Sequence, residues 1–498
     1  MELAFVPTIV ILLAILIVFI CSRLYKRYPK TIQMVLKVLS IIYAIIVLVG
    51  HLLPDGFVYV INGSFYGQIY YDRTDVWQTV LRWGLNISSI VLPMAVFFKN
   101  RLMKNVAIYL CLPFTILSVL FLNDFVYYFV QEESRAILDF PYLSESIRTL
   151  ILDWGFRSFY FGAQLLIGLV IPATIFFGEK HRFNWQDKTE KQYFFISLPF
   201  IIIASMPTYA LQSLFGFASG RNNFGYSFAQ LVWTSFIVVE IIAIYNIFKN
   251  KDYQTRYELC VFLCIQLFMH YNSTYIMGFT FKKLPFQLCN LAAYFFLIAI
   301  VFKRKRLFNF AYIANLVGAA IAVAAPDVED GIFSFWYVHF VMEHMQVFAI
   351  PVIIGLLKIF PRFKKKDLKD VFVGFSIYFF FCLISGTLLN GLALKTGDTG
   401  FKVNYFYLFD LAKIHGYFPL IGLFSKRVVL FDYYTIYPIF QFGVYVLYFA
   451  LCVICYYVIE KLYDVANDHK ELRQVRLSLR EKRLEKKKIK QELLENEG

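Results

Sequence analysis

Leu284-Pro285-Phe286-Gln287-Leu288-Cys289-Asn290-Leu291-Ala292-Ala293-Tyr294-Phe295-Phe296-Leu297-Ile298-Ala299-Ile300-Val301-Phe302 carries no charged side chain and stops at Lys303-Arg304-Lys305-Arg306. At about 1.5 Å per residue, a helix of this length crosses the roughly 30 Å of a bilayer's hydrocarbon. The stretch reads as a membrane span closed by a basic turn. A helix is the expected form because lipid offers the backbone no hydrogen-bond partner, and nothing in the run alternates as a barrel strand would.

The same pattern recurs along the whole chain. Apolar runs lie at about 3–21, 32–53, 77–98, 103–127, 151–177, 193–215 and 227–248, then at 257–275, 284–302, 307–325, 333–360, 371–392 and 437–459. With 59% hydrophobic and 19% aromatic residues, the composition lies beyond the balance of soluble domains. These features predict an all-α, polytopic transmembrane bundle of about thirteen spans. The first run lacks the basic flank and small-residue cleavage site of a signal peptide and is read as a retained helix.

Charge supports this reading independently of hydropathy. Every second link is basic: Arg23 to Lys30, Lys99 to Lys104, Lys180 to Lys191, Lys249 to Arg256, Lys303 to Arg306 and Arg362 to Lys366. The links between them are poorer in base and often acidic, as at Asp72 to Asp75, Glu132 to Asp139 and Asp327 to Asp330. The positive-inside rule then puts the N-terminus outside a plasma membrane and the C-terminus in the cytoplasm. The net charge of +15 sits in these links and the tail, so membrane lipid headgroups, not nucleic acid, are its expected partner.

Three parts are expected. They are an N-terminal membrane half (1–226), a C-terminal membrane domain (227–460) and a charged cytoplasmic tail (461–498) suited to self-association or a protein partner. Phe98-Lys99-Asn100-Arg101 resembles Phe302-Lys303-Arg304-Lys305, and Ile171-Pro172 resembles Ile350-Pro351. In that register Asn86 falls opposite Asn290, Gln164 opposite Glu343, Leu165 opposite His344 and Leu85 opposite Cys289. The N-terminal half then reads as a parallel, degenerate copy without the reactive residues. The aromatic stretch 395–436, with His415, Gly416, Pro419 and Gly422, reads either as a re-entrant element or as a hydrophobic surface loop.

Polar groups inside such spans are functional candidates by default. Pro285 fits a helix first turn, which would put Cys289 about one turn inside the span. His344 lies about eleven residues into a span entered from the same side. His339 and Glu343 are four apart and share a helix face, so Glu343 can orient His339. A thiol near an imidazole suits an acylated nucleophile, although Cys289 alone also fits a small buried hydrophobe. His270, near the external end of its span, fits interfacial hydrogen bonding and could also join the site. Cys452 and Cys455 have redox spacing, yet they lie within an apolar helix and read as packing. Zinc spacings, phosphate loops and a serine elbow are absent from the sequence, and no metal or cofactor is expected.

The run Leu284 to Ala292, the turn at Lys303, Ala325-Pro326-Asp327, Glu343-His344 and Asn404-Tyr405-Phe406-Tyr407-Leu408 resemble the bacterial YwaF-type integral membrane proteins over roughly residues 230–460. The resemblance extends to distant eukaryotic relatives that act as acyltransferases in ether-phospholipid remodelling. It implies an acyl-carrier role for Cys289 and a catalytic histidine at His344. The bacterial pattern usually reads Leu-His-Leu-Cys-Asp, whereas Gln287 and Asn290 stand here at the His and Asp positions.

Two readings of function follow. One is a lipid acyltransferase or thioesterase-like enzyme with Cys289 as nucleophile and His344 as base, tuned by Glu343 and His339, with Gln287 or Asn290 donating to the oxyanion. The other is a non-enzymatic transporter or lipid-binding module centred on Glu343 and His344.

Overall fold

The computed structural model describes residues 5–53, 73–98, 100–129, 145–210, 214, 228–277, 280–324, 335–409, 411 and 424–460, with scattered residues between 473 and 485. Its helices are α1 (Phe5–Tyr25), α2 (Pro29–Leu52), α3 (Arg73–Phe97), α4 (Arg101–Leu120), α5 (Leu122–Phe129), α6 (Glu145–Ile151), α7 (Trp154–Phe177) and α8 (Lys188–Ala204). There follow α9 (Phe228–Phe248), α10 (Tyr253–Asn272), α11 (Leu288–Val301), α12 (Lys305–Ala324), α13 (Phe335–Leu356), α14 (Leu368–Thr396) and α15 (Pro438–Glu460). Among the described residues nine of these are long and apolar enough to cross a membrane: α1 to α4, α7 and α12 to α15. Helices α8 to α11 occupy the other four predicted runs. The protein is an all-α bundle. His415, Gly416, Pro419, Gly422, Asp327 and most of the tail lie outside the described residues.

Two compact units share the chain. One comprises 1–225, 265–283 and 327–343; the other comprises 226–264, 284–326 and 344–498. Helix α13 therefore belongs to the first unit up to Glu343 and to the second from His344 onward.

In the first unit α7 lies against α1, α2 and α4. Leu81 and Leu85 of α3, Phe125 of α5 and Phe161, Leu165 and Leu169 of α7 form its core. Lipid is as apolar as these side chains, so close packing, not escape from water, holds such helices together. Small residues allow the approach: Gly168 faces Thr115 and Tyr43, and Gly84 faces Phe114. Helix α4 carries a π turn at Ala107–Cys111, directly ahead of Leu112-Pro113. Pro113 has no N–H to give the helix ladder, and the π turn accommodates that loss.

The basic links of the first unit meet at one end. Tyr25 at the end of α1 donates to Glu179 beyond α7 (2.9 Å), and Lys104 of α4 pairs with the same carboxylate. Arg101 pairs with Glu190 of α8 at 3.0 Å, and Asn105 donates to Glu190 at 2.8 Å. His181 shares this cluster through Asn105, and its pKa is lowered to about 4 by burial and then by Arg101 and Lys104.

The second unit has a similar arrangement. Lys305 at the start of α12 pairs with Asp367 at 3.0 Å, and Asn309 donates to Asp370 of α14 at 2.8 Å. Arg256 of α10 donates to the Leu357 carbonyl at 2.7 Å, and Tyr257 to that of Ile300 at 3.2 Å. Lys180 after α7 and Lys358 after α13 both take left-handed φ, at 55° and 59°. Ion pairs at an aqueous edge contribute at most about 1 kcal/mol each, so they fix register more than stability.

Within 395–436, α14 ends at Gly397, whose φ of 74° is the left-handed cap that glycine adopts without strain. A short antiparallel hairpin follows, β1 (Val428–Leu430) with β2 (Tyr434–Ile436).

Candidate functional site

Helix α11 begins at Leu288, so Pro285 precedes the helix instead of occupying its first turn. The reason lies in Gln287, whose extended backbone (φ −73°, ψ 144°) stops the helix from starting earlier. Its side chain donates to the Asn404 carbonyl and accepts from the Phe406 amide, both at 2.9 Å. The Phe286 carbonyl is held in turn by the Tyr378 hydroxyl at 2.9 Å and the Cys382 thiol at 3.3 Å. Cys289 is consequently in the first turn of α11.

The turn that Gln287 holds is strained. Phe406 and Tyr407 both take left-handed φ, at 51° and 56°, which costs a non-glycine residue on the order of 1 kcal/mol or more. The Phe406 ring packs edge-on against Tyr448 at 4.9 Å, and Tyr448 stacks on Phe375 at 5.0 Å. Gln287→Ala is expected to release this turn and lower stability by roughly 1–2 kcal/mol. Limited proteolysis between 404 and 409 would read the change, and an unaltered cleavage pattern would show that Gln287 does not hold it.

Cys289 is buried beside Gly318 of α12. A Cβ at Gly318 would stand 3.5 Å from the Cys289 sulfur and 2.9 Å from the Tyr448 hydroxyl, which itself donates to the Ala314 carbonyl at 2.8 Å. Bare backbone therefore flanks the thiol. Asn290 is half-buried, and His344, in the same unit, is buried on α13. Two residues beyond His344, Gln346 donates to both oxygens of Glu240 on α9 at 3.1 Å. Glu240 was not among the sequence candidates, although it is the single charge between Ser227 and Phe248.

The first unit gathers the other candidates. The rings of His270 and His339 stack at 4.8 Å and 15°, and His270 Nε2 lies 3.3 Å from the His339 carbonyl. His339 Nε2 stands 3.8 Å from Glu343, one turn along α13. Trp336 meets His339 edge-on at 6.2 Å, and Lys283 lies over the Trp336 ring at 5.2 Å. Tyr271 and Tyr275 both donate to the Lys283 carbonyl at 2.8 Å, and burial lowers the Lys283 pKa to about 8. Sequence reasoning missed Lys283 and Trp336, because a lysine and a tryptophan at the ends of spans read as ordinary interfacial anchors.

Among the described residues no disulfide forms. Nor, among them, is any cluster of three or more His, Cys, Asp or Glu side chains placed to hold a metal. Neither a curated protein nor a solved structure matches the chain. Residues 224–456, which include Cys289, His339, Glu343 and His344, match the model of the TMEM164 family, a family of membrane proteins. With its apolar helices, that match makes the chain a multi-pass membrane protein.

Proposed function

We propose that the protein transfers acyl groups between membrane lipids, with Cys289 as acyl carrier and His344 as base. The observation that carries this reading is the position of the Cys289 thiol in the first turn of α11, where the backbone amides of the helix N-terminus favour a developing negative charge. The family match covers both residues, and both fall in one compact unit. The resemblance to YwaF-type proteins and their acyltransferase relatives points the same way.

In this mechanism His344 takes the thiol proton and the sulfur attacks the donor ester carbonyl. The C–O bond then breaks, and the departing alkoxide takes the proton back from the imidazolium. A thioester and a lyso-lipid result. An acceptor hydroxyl reverses the sequence, and water in its place gives a thioesterase. Asn290 and the N-terminal amides of α11 would stabilise the oxyanion, because a helix N-terminus favours negative charge. Gln287 is committed to the 404–406 turn and would position the helix.

The basic links gathered at one end of each unit support a cytoplasmic face there, with the N-terminus outside a plasma membrane. The tail would then be cytoplasmic and available for self-association.

A second reading, a transporter or lipid-binding module, is favoured by the stacked His270 and His339 with Glu343. Labelling of the full chain in membranes with a lipid-like electrophilic acyl probe separates the two. Acyl transfer expects a thioester on Cys289 that is absent from Cys289→Ala and reduced about 100-fold or more in His344→Ala. A folded native chain that takes no label rejects the acyl carrier and leaves the second reading.

A further inference from the structure

A cavity of about 100 Å³ lies within the first unit. Its polar wall is made by Arg82, Asn86 and Ser89 of α3 with Gln164 of α7, and Leu85 and Phe161 contribute apolar wall. Arg82, Asn86 and Ser89 are spaced i, i+4, i+7 and therefore share one helix face. The face is fixed in place: Asn86 donates to the Ser205 carbonyl, Ser89 donates to the Asn86 carbonyl at 2.6 Å, and Arg82 lies over the Phe125 ring at 5.2 Å.

The residues of the cavity fall in the register that relates the two halves of the sequence. Leu85 and Asn86 correspond there to Cys289 and Asn290, and Gln164 to Glu343. Asn105 and Asn309, which donate to Glu190 and Asp370, also stand in the register of Asn86 and Asn290. A leucine stands where the thiol would be, so this cavity has amides, hydroxyls and a guanidinium but no thiol. It is equipped to bind and not to react.

We propose that the cavity binds the oxyanion head of a membrane amphiphile, a carboxylate or a phosphate ester. Arg82 would meet two of its oxygens with a forked pair of hydrogen bonds, and Gln164 would supply a further donor. Leu85 and Phe161 would face the start of the apolar tail. The volume suits one such head group and excludes a whole lipid, whose tail would extend from the cavity.

The test uses the full chain in detergent with a photoactivatable fatty acid, followed by mapping of the cross-linked peptides. The expected cross-links fall on α3 and α7, and their yield drops about tenfold or more in Arg82→Gln. Ser89→Leu, which fills the cavity and leaves its charge unchanged, is expected to reduce them equally. Inorganic phosphate that competes at millimolar concentration would show that the free anion suffices; failure to compete would show that the tail is needed. Cross-links that avoid α3 and α7 in the native chain overturn the proposal, as does a yield on those helices that neither substitution changes.

Discussion

Cys289→Ala is expected to lower acyl exchange by at least about 10³-fold while the chain keeps its fold. The side chain lost is small and buried, so its removal costs on the order of 1 kcal/mol, well within what a bundle of this size tolerates. On the proposed mechanism chemistry loses far more, because no other group in the first turn of α11 can form an acyl intermediate. Cys289→Ser should retain little activity, since a hydroxyl is a much poorer nucleophile than a thiol beside the same base. Residues that act as a unit are strongly non-additive, so Cys289→Ala with His344→Ala should be no slower than Cys289→Ala alone. The measurement is the rate of acyl exchange in reconstituted vesicles with melting followed in parallel. Full activity in Cys289→Ser would reject the nucleophile and favour the transporter or binding module.

The helices were legible because lipid imposes a simple rule: a charge-free run of sufficient length must satisfy its own backbone, and the basic links mark its ends. The start of α11 was less legible. Pro285 is a good first-turn residue by local rules, yet Gln287 is held by Asn404 and Phe406, more than a hundred positions away. The spacing of His339 and Glu343 was visible within one helix, whereas the stacking of His270 on His339 depends on how two helices pack. Glu240 could have been found, since one carboxylate in an apolar run demands a partner, but its partner Gln346 is neutral and lies in another span. Near the turns from which a duplication was read, Asn105 and Asn309 each donate to an acid, Glu190 and Asp370, contacts between helices that spacing along the chain does not reveal.

Gly374→Leu is expected to destabilise the second unit by roughly 3 kcal/mol or more. A Cβ at this position would stand 2.4 Å from Phe310 Cγ and 2.8 Å from Phe310 Cβ. Phe310 Cβ stays where it is in every rotamer, so turning the ring does not relieve the clash, and α12 and α14 must separate instead. Phe310 is buried and packs against Phe295 at 5.8 Å, which leaves it little freedom to yield. The same helix carries Gly318 beside Cys289, and on the proposed mechanism a displaced α12 should therefore reduce acyl exchange together with stability. Gly443 of α15 is the matched control: nothing lies within 4 Å of an added Cβ, and Gly443→Leu should be nearly neutral. Combining Gly374→Leu with Phe310→Ala should recover part of the loss, because the second change removes the ring that the first one meets. Equal melting of Gly374→Leu and Gly443→Leu would show that α12 and α14 do not approach at this glycine.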